Sequence, residues 1–146
     1  MAARQAAWLV PWSVVALAAP PGETGTVAVV ANGHRILAEV AVTPEARSRG
    51  LMFRASLPAD RGMLFVYPND ARHCMWMRNT FVPLSVGFLD EHRAVINVAE
   101  MTPRTDARHC AERAARYVLE MPAGWFDRHG VGAGTRLEFA VEPARE

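Results

Sequence analysis

Short apolar runs alternate with turn residues between positions 26 and 141, a pattern typical of a β-rich domain. The runs 26–31 and 35–42 flank Asn32-Gly33, two residues that tolerate positive φ, and together they predict a β-hairpin. Further strands are predicted over residues 63–67, 73–78, 85–89, 94–101, 115–121 and 136–141. This spacing predicts a mainly β, single-domain, jelly-roll-like sandwich or barrel.

Two short helices are predicted between the strands. Thr43 is a suitable N-cap before Pro44 at the first helical position, which predicts a helix over residues 45–49. A second short helix is predicted over residues 125–129. Residues 102–113 are mostly polar and are predicted to form a loop.

Residues 1–19 have the features of a signal peptide. Arg4 is the only charged residue before Glu23, and residues 6–18 are apolar except for one serine. The tripeptide Ala16-Leu17-Ala18 supplies the small-x-small pattern that precedes cleavage. The alternative interpretations are a wrongly assigned start codon or a frayed N-terminal tail.

The apolar run is shorter than the roughly 20 residues that a helix needs to span a bilayer. We therefore predict cleavage after Ala18 or Ala19 and a β domain over residues 26–142. The processed protein is predicted to be periplasmic or secreted, without an integral membrane segment.

The charge pattern argues against nucleic-acid binding. The 146-residue chain has a formal net charge of +1, and its 16 basic residues are all arginines scattered along the sequence. A nucleic-acid surface would instead concentrate basic residues on one face or segment. No cofactor motif occurs either, so we predict no cofactor.

A series of short motifs follows the order found in one protein family. The motifs are Gly50-Leu51-Met52-x-Arg54, Gly62-Met63-Leu64-Phe65, Trp76-Met77-Arg78-Asn79-Thr80, Pro83-Leu84, Met101-x-Pro103, Tyr117-Val118-Leu119-Glu120 and Gly124-Trp125. Over residues 35–140 the chain resembles the domain of unknown function 192 (DUF192) family. The resemblance implies a compact jelly-roll-like β domain, often exported, with no assigned reaction.

Two positions depart from the common pattern of that family. Ser85 stands where many members have aspartate, which puts any role for that carboxylate in doubt. Cys74 stands where many members have an aromatic or small residue, which indicates a cysteine-bearing subgroup.

Cys74 and Cys110 are the only cysteines, and His73 and His109 precede them. In an oxidising compartment we predict a disulfide between the two cysteines. Free thiols remain an alternative. A metal site is the other alternative, although adjacent residues of a strand point to opposite faces. Thioethers suited to Cu(I) could then come from Met75, Met77 and Met101.

Polar residues within apolar strands supply the candidate ligand site. A buried arginine needs an anion, so the simplest interpretation is an ion pair of Arg78 with Glu100 or Glu120. The functional interpretation is a pocket in which Arg78 binds a carboxylate or phosphate and Asn79 orients it. The full candidate set is Trp76, Arg78, Asn79, Glu100 and Glu120. Core positions are predicted for Trp76, Tyr117, Trp125 and most methionines.

These observations favour a non-enzymatic exported binding or accessory domain for a small anionic ligand. One alternative is a periplasmic protein that handles copper or another metal through histidine, cysteine and methionine. A second alternative is an uncharacterised hydrolase or lyase with Glu100 and Glu120 as general acid and base.

Overall fold

The computed structural model of the protein describes residues 25–141, 143 and 144. The predicted signal peptide therefore lies outside the described residues. The elements in chain order are β1 (Thr26–Ala31), β2 (His34–Ala41), α1 (Pro44–Arg49), β3 (Arg61–Ala71), β4 (Cys74–Met75), β5 (Leu84–Leu89), β6 (Val95–Met101), β7 (His109–Cys110), β8 (Ala115–Pro122) and α2 (Trp125–Arg128).

Six strands form one sheet in the order β1-β2-β3-β8-β5-β6, and β4 pairs with β7 in a small second sheet. All neighbouring strands are antiparallel except β2 and β3, which are parallel. Strands β1 and β6 lie at the two edges of the large sheet, so it is not a closed barrel. The prediction of a mainly β, sandwich-like domain with two short helices is confirmed. Within the described residues, neither helix is long and apolar enough to cross a membrane.

The β1–β2 hairpin forms where Asn32-Gly33 predicted it. The two residues have φ values of 51° and 78°, as a tight two-residue turn requires. The side-chain amide of Asn32 also donates to the carbonyl oxygen of Gly130 at 2.9 Å. The hairpin is thereby attached to the end of α2.

Residues 42–60 carry the chain back so that β3 can pair parallel to β2, and α1 lies in this crossover. The Oγ1 of Thr43 accepts the backbone N–H of Ala46 at 3.2 Å, which confirms the predicted N-cap. Gly50, with a φ of 49°, follows the last helical residue. The crossover places α1 over one face of the sheet.

The predicted strand 73–78 is wrong beyond Met75. The backbone N–H of Met77 donates to the carbonyl of Thr105 at 3.1 Å, outside any ladder. Asn79 then turns the chain with a φ of 53°. The predicted loop 102–113 likewise contains one short strand, β7, which pairs with β4.

The predicted last strand, 136–141, is also wrong. Leu137 and Phe139 are buried. However, the segment forms only isolated bridges, from Arg136 to Ala94 and from Glu138 to Val30. Because each bridge goes to a different part of the sheet, no continuous ladder develops.

The large sheet has a hydrophobic core on each face. The first core includes Leu64, Leu119, Met121, Trp125, Phe126 and Leu137. The second core includes Leu51, Met63, Phe65, Met75, Met77, Val86 and Val118. Because successive residues of a strand point to opposite faces, Glu120 shares the face of Val118 and the second core.

Candidate functional site

A cavity of about 350 Å³ lies beside the second core, between α1 and the sheet. Two of the five predicted ligand-binding residues, Trp76 and Glu120, line it. The lining also supplies side chains with polar or polarisable atoms, among them Arg47, Tyr67, Met75, Trp76, Thr80 and Glu120.

Glu120 is a buried carboxyl group in the middle of the sheet. It lies between Met63 of β3 and Val86 of β5, and only 3% of it is exposed. Within the described residues its carboxyl makes no hydrogen bond or ion pair, and it lines the cavity. Burial disfavours the charged form and raises the pKa of Glu120 to about 8. At neutral pH the carboxyl is therefore mostly protonated, with an O–H that can be donated to a ligand.

Arg47 of α1 lies on the wall of the same cavity. Its Nη1 donates to the carbonyl oxygens of Val42 and Val66, at 2.9 and 3.0 Å. A guanidinium group carries five N–H donors, and these two bonds use the two on Nη1. Among the described residues, the Nε and Nη2 groups have no hydrogen-bond acceptor, so they remain available to a ligand.

The charges of Arg47 and Glu120 both influence the pKa of Tyr67, a residue of β3. The guanidinium carbon of Arg47 lies 5.2 Å from the centre of the Tyr67 ring. Burial raises the pKa of Tyr67 to about 12, the charge of Arg47 opposes this rise, and Glu120 adds to it. The hydroxyl donates to the sulfur of Met75 at 3.7 Å. Tyr67 therefore stays protonated and supplies a fixed, partly apolar wall.

The prediction that Trp76 belongs to the core is wrong, whereas Trp125 is buried as predicted. Trp76 is 41% exposed, and the guanidinium of Arg78 covers its ring at 3.9 Å from the ring centre. Most methionines are in the core as predicted, because Met63, Met75, Met77, Met101 and Met121 are all buried. Tyr117 is partly buried against the first core.

Arg78 and Asn79 lie outside the cavity lining. The predicted ion pair of Arg78 with Glu100 or Glu120 is wrong. Arg78 is exposed, and its Nε donates to a carboxylate oxygen of Asp106 at 2.9 Å. Asn79 lies in the turn after Arg78, and its carbonyl accepts the backbone N–H of Phe53 at 2.9 Å.

Glu100 lies on the opposite face of the sheet from Glu120. Ser85 of β5 is the cross-strand partner of Glu100, and the next residue, Val86, is the cross-strand partner of Glu120. Because successive residues of a strand point to opposite faces, so do the side chains of these two partners. The hydroxyl of Ser85 lies 2.6 and 2.7 Å from the two carboxylate oxygens of Glu100, and it accepts the backbone N–H of Gly124. The two glutamates therefore cannot act together as acid and base on one substrate.

The predicted disulfide is present. Cys74 and Cys110 face each other across the β4–β7 pair with an S–S distance of 2.02 Å. The bond ties the segment that carries Trp76 to the loop that precedes β8. Cys74 also lines the cavity, so the disulfide fixes one of its walls.

The disulfide removes the cysteine ligands of the metal hypothesis. His73 stacks on Tyr67 with ring centres 3.6 Å apart, and burial, the largest influence, lowers the pKa of His73. In residues 25–141, 143 and 144, no group of three or more histidine, cysteine, aspartate or glutamate side chains could hold a metal ion.

Arg47 and Tyr67 are the site residues that sequence reasoning missed. Arg47 belongs to a helix that the sequence predicted, but no local pattern shows that the parallel crossover brings this helix to the cavity that Glu120 lines. Tyr67 follows Phe65 with the strand period of 2, and this alternation could have placed it on the face of the second core.

Comparison with known proteins identifies the family. The family model for domain of unknown function 192, described as "Uncharacterized ACR", matches residues 27–139. The chain belongs to the DUF192 family. Among curated proteins, none is significantly similar to it.

Two solved structures share the fold of this DUF192 protein. A "putative transcription regulator" from Sinorhizobium meliloti 1021 is 33% identical with a TM-score of 0.73, covering 78% of this chain and 92% of that one. A protein of unknown function from Novosphingobium aromaticivorans DSM 12444 is 29% identical with a TM-score of 0.69, covering 77% and 83%.

Proposed function

We propose that this protein is a non-enzymatic binding domain that holds a small anionic ligand in the cavity beside α1. The observation that carries the proposal is Glu120, a buried carboxyl without a protein partner that lines the cavity. Among the described residues, no side-chain nitrogen or oxygen that is fully buried lacks a hydrogen-bond partner, so the unpartnered carboxyl of Glu120 is open to the cavity, where it can bind a ligand.

The charge of the cavity favours an anion. The charged or ionisable side chains in its lining are Arg47, Arg49, Tyr67 and Glu120. With Glu120 and Tyr67 protonated at neutral pH, the lining carries two positive charges and no negative charge. The O–H of Glu120 and the free N–H groups of Arg47 can then donate to the oxygens of one anion, and bonds from a charged donor are the stronger ones.

This proposal keeps the predicted anionic ligand but changes the residue that binds it. Arg78 is turned to solvent and paired with Asp106, so Arg47 takes the role assigned to Arg78. Glu120 keeps its predicted place in the site. A binding role is favoured over a hydrolase or lyase because Glu100, the proposed catalytic partner, lies on the other face of the sheet.

A thermal-shift screen at pH 6 tests the proposal. The ligands are carboxylates, phosphates and sugar acids, each compared with a neutral amide or alcohol of similar shape. We expect at least one class of anion to raise the melting temperature of the wild type, because a ligand that binds only the folded state stabilises it. The neutral compounds should not.

Two arginine variants locate the site. Arg47→Gln should lose the anion-induced shift relative to its own ligand-free melting temperature, whereas Arg78→Gln should keep it. The proposal fails if no anion shifts the wild type, or if the shift depends on Arg78 rather than Arg47.

We also propose that the protein works in the periplasm or outside the cell. The apolar run at residues 6–18 and the disulfide support this location. N-terminal sequencing of protein from cell fractions should return a chain that starts near Ala19, outside the cytoplasm. Recovery of Met1 in the cytoplasm would contradict it.

The description of the Sinorhizobium protein as a regulator raises nucleic-acid binding as a question for this chain. Its scattered arginines and net charge of +1 support our prediction of no such binding. Fluorescence anisotropy with labelled duplex DNA at low salt should show no saturable binding; saturable binding there would contradict the prediction.

A further inference from the structure

Three large aromatic side chains of this domain are exposed to solvent. Phe53 is 67% exposed, Phe81 is 47% exposed and Trp76 is 41% exposed. Single exposed apolar residues are common on protein surfaces, but contiguous groups of them mark interaction sites.

One of these aromatic residues lines the Glu120 cavity, and the other two adjoin its lining in the chain. Trp76 is itself part of the cavity lining, and so are Met52 and Thr80, the immediate chain neighbours of Phe53 and Phe81. The Phe53 and Phe81 rings meet edge to face with their centres 6.1 Å apart. The Phe53–Phe81 pair therefore adjoins the cavity lining, while the guanidinium of Arg78 lies 3.9 Å from the centre of the Trp76 ring.

The backbone holds Phe53 in an unfavourable conformation. Its φ is 64°, in the left-handed region that bulky side chains rarely adopt. A hydrogen bond from its N–H to the carbonyl of Asn79, at 2.9 Å, fixes it there. Such strain is concentrated at functional sites, and here it keeps a large apolar ring in water beside the cavity.

We propose that the ligand of this cavity is an amphiphilic monocarboxylate, whose apolar tail lies across the surface formed by Phe53, Trp76 and Phe81. The inference rests on the proposed function, because it requires that the cavity bind the anionic head. The head is held by Arg47 and the protonated Glu120, and the tail leaves past Trp76.

The donors of the cavity suit a carboxylate head. A planar carboxylate has two oxygens, one for the O–H of Glu120 and one for the free N–H groups of Arg47. Arg47 and Arg49 would also match the charge of a phosphate monoester, which the thermal-shift screen compares with the carboxylates. Exposed aromatic rings can pack against an alkyl chain or stack on a sugar ring, so sugar acids are the competing ligands in the test.

The test is a calorimetric titration at pH 6 with straight-chain acids from acetate to octanoate. Burial of each additional methylene strengthens binding by up to about fourfold, the equivalent of 0.8 kcal/mol. We expect affinity to rise with chain length in the wild type. We expect this rise to flatten in the double variant Phe53→Ser with Phe81→Ser, while acetate binding is unchanged.

The possible outcomes separate the two proposals. If no straight-chain acid binds, the inference fails, and the proposed function fails with it only if the phosphates and sugar acids of the thermal-shift screen also leave the wild type unshifted. If acetate and octanoate bind equally, or if sugar acids bind more tightly than octanoate, only the amphiphile is excluded. A chain-length effect that persists in the double variant would place the tail elsewhere and overturn the inference.

A second measurement does not depend on the folding of that variant. A crystal of the wild type grown with 8-bromooctanoate should show the anomalous signal of bromine next to Phe53 and Phe81. A bromine at any other place, with the head in the cavity, would contradict the proposed path of the tail.

Discussion

Replacement of Glu120 by glutamine should change how the stability of the protein depends on pH. Burial raises the pKa of Glu120 from an ordinary 4.5 to about 8 in the folded state. Below pH 4.5 Glu120 is protonated in both the folded and the unfolded state, so its ionisation takes nothing from the stability of the fold. Between pH 4.5 and 8 the unfolded state binds fewer protons, so stability falls as pH rises.

The size of this loss follows from the width of the pH interval. Each pH unit between the two pKa values costs about 1.4 kcal/mol, so the loss above pH 8 is on the order of 5 kcal/mol. This is a large part of the 5–15 kcal/mol by which a typical domain is stable. Glutamine has nearly the same shape and cannot ionise, so Glu120→Gln should be free of the loss.

The measurement is urea denaturation of both proteins between pH 4.5 and pH 9. We expect similar free energies of unfolding at pH 4.5 and a variant more stable by several kcal/mol at pH 9. Burial, the largest influence, lowers the pKa of His73 and of His129, but these groups affect both proteins alike and cancel in the difference. The exposed Glu112 supplies the control Glu112→Gln, which should follow the wild type. A difference between Glu120→Gln and wild type that stays constant over this range would refute the reasoning.

Three further predictions concern the fold. Replacement of Cys74 and Cys110 by serine opens a loop with a sequence separation of 36. Urea denaturation should then show a free energy of unfolding lower by about 3–4 kcal/mol, with the fold retained. An unchanged midpoint would argue against this prediction. Gly62→Ala should destabilise by more than about 3 kcal/mol in the same assay, because a Cβ there would clash with the backbone carbonyl oxygen of Glu120 in β8. Gly132→Ala is the control, because no atom lies within 4 Å of the added Cβ. An equal loss of stability in the two variants would contradict the proposed clash at Gly62. Arg78→Gln should leave the urea midpoint unchanged, because the ion pair of Arg78 is exposed. A clearly lower midpoint would indicate that Arg78 stabilises the fold.

Local signals in the sequence predicted much of the fold. The turn at Asn32-Gly33 and the cap at Thr43 depend on residues that are close in the chain, and both are present. The disulfide was predicted from the presence of two cysteines in a chain with export features, without knowledge of the β4–β7 pairing. Composition and strand spacing were sufficient for the fold class.

The errors arose where contacts between distant segments decide the structure. Alternation continues through Trp76 and Arg78, but the bond from Met77 to Thr105 takes the chain out of the ladder. The sequence therefore gave no sign that Trp76 would be exposed. Similarly, residues 136–141 were predicted to form a strand, but the segment makes only isolated bridges to the sheet.

The site was only partly predictable for a related reason. Glu100 and Glu120 both end apolar strands, but their faces are fixed by the register of β5 between them. A shift of one residue would reverse the face, and the sequence does not specify that register. The presence of Arg47 and Glu120 in the lining of one cavity depends on the parallel crossover, which no local motif encodes.

The most direct test of the central claim is the pH dependence of carboxylate binding. Butyrate is titrated into wild type and Glu120→Gln by calorimetry from pH 6.5 to pH 9.5. If the anion needs the protonated carboxyl, wild-type affinity falls about tenfold per pH unit above pH 8, and the variant shows no such fall. Wild-type affinity that is equal at pH 6.5 and pH 9.5, or that rises with pH, would contradict the account.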